Sequence, residues 1–467
     1  MPVVFCGVCP HPPIMVPGVG KKQSDNVIRT REAMLELARR LKESKAQSLV
    51  MITPHGPVFR DGIAINSEEI LCGNLGSFGA PEESYEIEND LQLASDIYRK
   101  AREAGIVTIV MNGETAGDYG VSVELDHGVT VPLYFLREAG VDLPLVVIYM
   151  GLLPPEELYR FGEAIQEGAE ESGKNIAVIA SGDLSHALTQ DAPAGYNPRG
   201  EEFDREIARL VSEADVMGII NIDAQLVEMA GECGLRPITM MLGALDGYAV
   251  DAEVLSYEGP FGVGYMVAAL TPRSEDQERD FGRILGEGRR LNIESKKLNE
   301  GMLPRIARMA LEYHAEGKRL RMHPDDIPDE FKKPAGVFVS LKKDGQLRGC
   351  IGSVFPQYGS IVEETINNAI SAGHRDPRFY PVDSGELDDL DISVDVLYPP
   401  EPIEGMDSLD PQRYGVIVKS GRKQGLLLPN LEGIGTAEEQ VDIARQKAGI
   451  EPDEPVELER FEVVRHK

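Results

Sequence analysis

The sequence predicts an α/β fold for the first part of the chain and a smaller α+β domain for the second. Over the first part, short apolar runs of strand type alternate with amphipathic helical stretches, which is typical of a mostly parallel or mixed central sheet with flanking helices. Over the second part, one helical stretch precedes segments of alternating polarity, which favour antiparallel strands. A strongly charged segment, 272–298, separates the two parts. We therefore predict domains over 1–271 and 299–467, with a charged linker or solvated helix between them.

Composition excludes several classes of protein. The chain has 467 residues, of which 42% are hydrophobic and 27% charged, and this is a globular composition. No apolar stretch approaches the roughly 20 residues of a membrane helix, and no leader pattern is present, so we expect a cytoplasmic protein without membrane contact. The formal net charge of −31 repels phosphate backbones, so nucleic acid is not an expected partner.

Cysteine usage points to structure more than to redox chemistry. Five cysteines in so long a chain do not make a disulfide framework. Cys6 and Cys9 form one C-x-x-C pair, which would suit a redox pair or half of a zinc site. The second pair that a zinc site needs is missing, so small residues facing inward on a buried strand are the favoured interpretation.

Predicted strands of the first domain end at histidines. The strand 3–9 ends just before His11, and the strand 49–53 ends just before His55. The strand 176–180 ends shortly before His186. The first of them must stop at Pro10-His11-Pro12-Pro13, because proline lacks the N–H that a strand ladder needs. Strand ends line the ligand crevice of an open α/β sheet, so these imidazoles are expected to converge.

The remaining elements of the first domain follow from local pattern. Further strands are predicted over 62–66, 106–110, 145–149, 253–257 and 263–270, and helices over about 24–41, 88–104, 155–171, 201–213 and 237–245. Asp126 is a predicted N-cap, which places His127 at a helix N-terminus, where the dipole favours neutral imidazole. Residues 67–84 are too rich in Gly, Ser and Glu for an assignment.

The second domain has a helical stretch followed by β patterns. A helix carries Leu303, Ile306 and Leu311 on one face, and the runs 336–341 and 346–351 flank a turn at Asp344-Gly345 that predicts a hairpin. Further strands are predicted over 392–396, 415–419 and 426–428.

The converging histidines predict a metal site. Two imidazoles and one carboxylate on one face hold a catalytic Fe(II) and leave positions open for substrate and O2. His11 and His55 are the predicted imidazole ligands, and both stand beside prolines that stiffen their loops. Glu232, Cys233 and Glu258 are the candidates for the third ligand. Glu232 is preferred, whereas a Cys233 thiolate would favour zinc or copper over an oxygenase iron.

His186 has a separate predicted role as an acid or base. Gly182 permits a tight turn after the strand, and Asp183 or Ser185 could orient the ring. Any one of these histidines alone is better explained as a core or capping residue. Four histidines, His127 being the fourth, are predicted at the ends of elements along one edge of the sheet, and together they favour a metal site. The other histidines, predicted to be structural or solvated, are His314, His323, His374 and His466.

Four motifs of the first domain resemble a known family. Pro10-His11-Pro12-Pro13, Pro54-His55, Asp126-His127-Gly128 and Ser181-Gly182-Asp183-Leu184-Ser185-His186 resemble the motifs of the catalytic B subunit of class III extradiol ring-cleavage dioxygenases and the related Memo proteins. The resemblance covers residues 1 to about 271. It implies a non-haem Fe(II) held by His11, His55 and Glu232, with His186 as acid/base and His127 in substrate binding. It also implies ring cleavage of a catechol-like or related small aromatic diol. Memo-like relatives place a cysteine where Cys233 stands.

The second domain resembles a different family. Its residues 347–352, 375–379 and 425–429 are similar to the AMMECR-type domain, and the first stretch, Leu-Arg-Gly-Cys-Ile-Gly, is highly specific. A fusion of the two resembles the AmmeMemoRadiSam system proteins, which implies a Memo-like protein and a radical S-adenosylmethionine enzyme as companions. Cys350 could be a nucleophile, although a packed thiol is preferred. A groove for an acidic ligand or an internal ion-pair network are alternatives for Arg348, Arg375, Asp376 and Arg378.

Two further functional hypotheses stay open. The first is metal-dependent chemistry without O2, with zinc or iron as Lewis acid, which a Cys233 ligand and an oxygen-sensitive partner enzyme would suit. The second is a non-catalytic scaffold whose second domain binds partners. A homo-oligomer is expected in either case.

Overall fold

The computed structural model describes residues 1–343, 345–431 and 433–467. The chain divides into two compact units, Met1–Glu287 and Gly288–Lys467. Asp344, half of the predicted hairpin turn, lies outside the described residues.

The first unit contains a large sheet, a separate hairpin and flanking helices. Its strands are β1 (Val3–Cys9), β2 (Ser48–Thr53), β3 (Ile63–Asn66), β4 (Ile70–Leu75), β5 (Ala80–Glu88), β6 (Thr108–Met111), β7 (Leu145–Tyr149), β8 (Ile176–Ser181), β9 (Tyr248–Glu258) and β10 (Tyr265–Glu275). Its helices are α1 (Pro17–Gly20), α2 (Ile28–Glu43), α3 (Leu91–Glu103), α4 (Gly113–Tyr119), α5 (His127–Glu138), α6 (Pro155–Ser172), α7 (Arg199–Ser212), α8 (Val216–Ile220), α9 (Ala224–Ala230) and α10 (Leu235–Gly243). A further helix, α11 (Phe281–Asn299), spans the division between the units.

The central sheet is mixed, which confirms the predicted α/β class. Eight strands lie in the order β6-β3-β7-β2-β8-β1-β10-β9. Pairing is parallel from β7 through β2 and β8 to β1, and between β3 and β6, whereas the other pairs are antiparallel. Because β2, β8 and β1 are neighbours, their carboxyl ends lie side by side at one edge.

Both faces of this sheet are covered. Alternate residues of β8 belong to different hydrophobic clusters: Ala177 and Ile179 face one, and Val178 and Ala180 face the other. All four are fully buried. A strand buried on both faces reads as a continuous apolar run in the sequence, which is why the central strands were predictable.

Two segments differ from expectation. Residues 67–84 contain most of a hairpin of β4 and β5, in which few side chains are buried, among them Leu71, Leu75, Ala80 and Tyr85. The sequence therefore contains too few regularly spaced apolar residues to indicate these two strands. The predicted linker, 272–298, contains the end of β10, which pairs with β9 as far as Glu275, and most of α11.

The second unit is α+β, as predicted. Its helices are α12 (Met302–Ala315), α13 (Ile361–His374) and α14 (Ala437–Ala448), and its strands are β11 (Gly336–Lys343), β12 (Gln346–Ser353), β13 (Asp391–Leu397), β14 (Glu401–Ile403), β15 (Tyr414–Ser420), β16 (Lys423–Leu427) and β17 (Glu457–His466). Every strand pair in it is antiparallel over the described residues. The predicted hairpin is present as β11 and β12, and α12 and α13 bury Leu303, Leu311 and Ile366 in the core.

Among the helices of the described residues, none combines the length and the apolar character that crossing a bilayer requires.

Candidate metal centre

The strand order brings two predicted ligands together. His11 follows β1 and His55 follows β2, and the two strands lie on either side of β8. Their imidazole Nε2 atoms are 3.0 Å apart. Two nitrogens bound to one metal at about 2.0–2.1 Å and nearly at right angles would be separated by about 3 Å, so this spacing suits a shared ion.

Cys233 supplies a third ligand atom. It lies in the loop between α9 and α10, with its Sγ 3.7 Å from Nε2 of His11. The ligand atoms of His11, His55 and Cys233 all lie within 4.8 Å of one another. Two imidazoles and a thiol make a donor set that binds zinc, iron or copper.

A close backbone contact delivers Cys233 to the site. A Cβ added to Gly182 would lie 2.2 Å from Cα of Gly234, so the two glycines touch where any side chain would separate them. The N–H of Asp183 donates to Sγ of Cys233 at 3.2 Å, and the N–H of Cys233 donates to the carbonyl of Asp183. Gly182 therefore permits close approach as well as the predicted tight turn.

Neither glutamate candidate reaches the cluster, which corrects the preference for Glu232. Its carboxylate accepts the N–H of Leu235 at 2.6 Å, in the first turn of α10. Glu258 accepts the N–H and the hydroxyl of Thr30, at 2.9 and 2.6 Å. Cys233 is the third potential ligand next to the two imidazoles, because Glu232 lies on the other side of the loop.

The imidazole of His11 is held neutral and in a defined tautomer. Its Nδ1 lies 2.9 Å from the hydroxyl oxygen of Ser181, and that hydroxyl donates its single proton to the carbonyl of Gly128. Nδ1 must then be the donor, which leaves the Nε2 lone pair facing the cluster. Burial, followed by the charges of His55, His127 and His186, lowers the pKa of His11 well below its ordinary value.

Burial also shifts the pKa values of the Cys233 thiol and the His55 imidazole. Burial, then the charge of Asp183, raises the pKa of the Cys233 thiol well above its ordinary value. Burial lowers the pKa of His55, against the opposing charge of Asp126. A bound metal would reverse the effect on Cys233, because a coordinating thiol is deprotonated by the ion.

His127 stands beside the imidazole pair. Asp126 caps α5 as predicted, accepting the N–H of Gly128, and His127 is the first residue of that helix. Its ring centroid lies 4.3 Å from that of His55 and 5.2 Å from that of His11. Burial, then the charge of His55, lowers the pKa of His127 to about 4, so the ring is neutral near pH 7.

His186 joins the same cluster through a different contact from the one expected. Its Nε2 lies 4.0 Å from Sγ of Cys233, and its ring is hydrogen-bonded to the backbone of Gly231. The predicted orienting residues act elsewhere: Asp183 accepts the N–H of His11 at 3.0 Å, and the hydroxyl of Ser185 donates to the carbonyl of Ala230. Burial lowers the pKa of His186.

Sequence reasoning missed Ser181 and Phe78 and gave Asp183 a different role. Ser181 orients His11, and Asp183 is buried beside His11 and Cys233, where burial raises the pKa of its carboxyl to about 7. Both lie within the quoted Ser-Gly-Asp motif, which was the available signal. Phe78 gave no such signal, because it lies in the stretch 67–84, for which the sequence pattern predicts no element. Its ring is 5.4 Å from that of His127 and 41% exposed.

Among the polar residues singled out in the second unit, Arg348, Asp376 and Arg378 form internal ion pairs. Arg348 contacts Glu386 at 2.8 Å, and Arg378 contacts Asp376 at 2.7 Å. Asp376 also accepts the N–H of Cys350, whose thiol lies 3.2 Å from the hydroxyl of Ser340. The network ties β12 to the loop after α13.

Both units match known families. Residues 6–268 match the family model of the catalytic LigB subunit of aromatic ring-opening dioxygenase, and residues 304–466 match that of AMMECR1. A Clostridium acetobutylicum protein is 43% identical over 462 residues, which covers 98% of each chain.

Two shorter likenesses cover about a third of the chain. A Thermotoga maritima protein is 52% identical over 150 residues, covering 31% of this chain and 86% of its own. The crystal structure of an uncharacterized protein from Pyrococcus horikoshii is 38% identical and covers 35% of this chain and 88% of that one, with a TM-score of 0.32. With its first unit this chain belongs to the family of the catalytic LigB subunit of aromatic ring-opening dioxygenases, and its second unit is an AMMECR1 domain.

Proposed function

We propose that the first unit is a metal-dependent enzyme that holds one transition-metal ion with His11, His55 and Cys233 and performs acid–base chemistry on a small hydroxylated aromatic substrate. The observation that carries the proposal is the convergence of the three ligand atoms within 4.8 Å. Membership of a dioxygenase-like superfamily agrees with a metal centre.

The donor set bears on the chemistry. A thiolate in place of a carboxylate departs from the two-histidine, one-carboxylate set of iron oxygenases and suits zinc or iron(II) as a Lewis acid. When bound, such an ion polarises a substrate oxygen and lowers the pKa of a bound hydroxyl. O2-independent chemistry is therefore the first candidate.

The surrounding side chains complete the proposal. His186 has a lowered pKa and is neutral at pH 7, so it can accept a proton from a substrate hydroxyl and return it later. The neutral His127 can hold a second polar group of the substrate without adding charge. Phe78, next to His127, offers an exposed ring edge to an aromatic substrate.

Iron(II)-dependent ring cleavage with O2 is the second candidate function. It is favoured by the family match over residues 6–268. On this alternative the substrate is a catechol-like or related aromatic diol, and the same histidines bind it and move its protons.

Elemental analysis of anaerobically purified protein tests the metal site first. We expect about one iron or zinc per chain in the wild type and in the control Glu232→Gln, and loss of that metal in Cys233→Ala and in His11→Ala/His55→Ala. Full metal content in the last two variants would contradict the proposal. Once the metal site is established, turnover of aromatic diols that requires O2 would support the second candidate function. Turnover under strict anaerobiosis would support the first.

A further inference from the structure

A cavity of about 430 Å3 lies in the first unit, beside the loop that carries Cys233. Its walls come from α6, α8, α9 and α10 and are mainly aliphatic, with Leu158, Ile219, Ile220, Val227 and Leu235 among them. The volume falls within the range of about 300–1,000 Å3 that is usual for small-molecule sites.

Successive residues of the loop serve different sites. Gly231 and Glu232 line the cavity, whereas Sγ of Cys233 faces His11 and His186. Glu232 was the preferred metal ligand from sequence, and its side chain belongs to this cavity instead.

Arg236 sets the polarity of the preferred occupant. It is the one cationic side chain of the lining. Its guanidinium lies near the charge of Glu232. No residue in the described part of the chain accepts a hydrogen bond from it. Glu232 is itself committed to the N–H of Leu235, and the other acid, Glu228, is exposed on α9. Unfilled guanidinium donors above aliphatic walls suit a carboxylate on an apolar body.

We propose that this cavity is a second ligand site, which binds a small apolar monocarboxylate with its carboxylate on Arg236, and that its occupancy is coupled to the metal centre. The coupling rests on the proposed function, whereas the binding site does not.

The coupling has a direct physical route. Gly231 lines the cavity and also accepts the hydrogen bond of the His186 ring, while the N–H of His186 donates to the carbonyl of Ala230 at 2.9 Å. Cys233 follows two residues later and is tied to Asp183. A ligand that shifts residues 231 and 232 therefore displaces both Cys233 and His186. Such coupling must be reciprocal between the two sites.

Calorimetric titration of the metal-free protein tests the site. Octanoate is the probe, and octan-1-ol is its match with the same body and no charge. We expect saturable octanoate binding that Arg236→Gln weakens about tenfold, with octan-1-ol binding unchanged by that variant. Val227→Trp, which fills the cavity, should abolish binding of both, whereas Met229→Trp, at an exposed position of α9, should bind as the wild type does.

The same variants define the results that would contradict the proposed ligand site. Absence of saturable octanoate binding, or full binding in Val227→Trp, would overturn the site. Octanoate binding unaffected by Arg236→Gln would overturn the carboxylate assignment. If Val227→Trp does not fold, Ala224→Trp at the exposed start of α9 replaces it, judged by its thermal unfolding.

Zinc titration tests the coupling separately. Saturating octanoate should change the zinc Kd about fivefold or more in the wild type, zinc should change the octanoate Kd by the same factor, and Val227→Trp should show no change. An unchanged zinc Kd with octanoate bound would overturn the coupling. Octanoate binding without any zinc binding would contradict the metal site and leave the ligand site standing.

Discussion

Nδ1 of His11 lies 2.9 Å from the hydroxyl oxygen of Ser181. The parallel pairing of β1 with β8 places Ser181 opposite Cys9, two residues before His11. The hydroxyl proton is already donated to the carbonyl of Gly128, so the imidazole can only donate to Ser181. One buried hydroxyl thus decides which nitrogen of His11 is free for a metal.

Ser181→Ala should weaken zinc binding by about 10- to 100-fold, because the imidazole loses the acceptor that fixes its tautomer. Competition titration against a chromogenic chelator measures the Kd. Ser181→Thr, which keeps a hydroxyl, should recover most of the affinity. Equal affinity in Ser181→Ala and the wild type would show that Ser181 has no part in orienting His11.

Cys233→Ser should remove the sulfur-to-metal charge-transfer absorption of the cobalt(II)-loaded protein, because a serine oxygen gives no such band. The near-ultraviolet spectrum of the loaded protein is the measurement. The neighbouring variant Glu232→Gln should keep the band, since its carboxylate caps α10. A band that persists in Cys233→Ser would place the cobalt elsewhere.

Gly182→Ala should destabilise the fold by about 1–3 kcal/mol and weaken metal binding, because the new methyl group would overlap Cα of Gly234. Urea unfolding and metal titration give the two readouts. Gly117→Ala, in α4, has open space at its Cβ position and should be stabilising by about 1 kcal/mol. Unchanged stability in Gly182→Ala would contradict the close contact.

Glu163→Gln should raise stability at pH 8. Burial, then the charge of Asp246, raises the pKa of Glu163 to about 7 from its ordinary 4.5. A raised carboxyl pKa means that the folded state binds more protons than the unfolded state, so stability falls as pH rises from 4.5 to 7. The variant should gain about 1–3 kcal/mol at pH 8 and lose this advantage towards pH 4.5.

Urea unfolding of Glu163→Gln as a function of pH is the check. Glu170→Gln, an exposed position on the same helix whose charge does not act on Glu163, is the control and should show no pH-dependent difference from the wild type. A pH-independent difference for Glu163→Gln would show that the buried carboxyl does not titrate in this range.

Phe78→Ala should weaken binding of an aromatic substrate by about 5- to 10-fold without changing metal content, because the ring packs against His127, which is not one of the three potential ligands. Substrate titration of the metal-loaded protein and elemental analysis separate the two effects. Phe355→Ala, at an exposed position of the second unit, is the matched control. Loss of metal in Phe78→Ala would assign the ring a structural role instead.

Much of the fold was predictable because its signals are local. Strands buried on both faces produced continuous apolar runs, and prolines and glycines marked their ends. The hairpin of β4 and β5 was not predictable, because exposed Ile70 and Cys72 and buried Gly73 break the alternation of apolar and polar residues in β4. The end of β10 was hidden by charged residues, such as Arg273, that pair across to Asp251 on β9.

The sequence by itself determined which residue types arrive at the edge of the sheet: four histidines at element ends, a Ser-Gly-Asp turn and a Glu-Cys pair. Tertiary structure alone decided that Cys233, and not its neighbour Glu232, faces the imidazoles. That choice depends on the contact of Gly182 with Gly234, which are far apart in the chain. Adjacent residues of an irregular loop share the same local pattern, so only long-range packing can determine which of them turns towards the site.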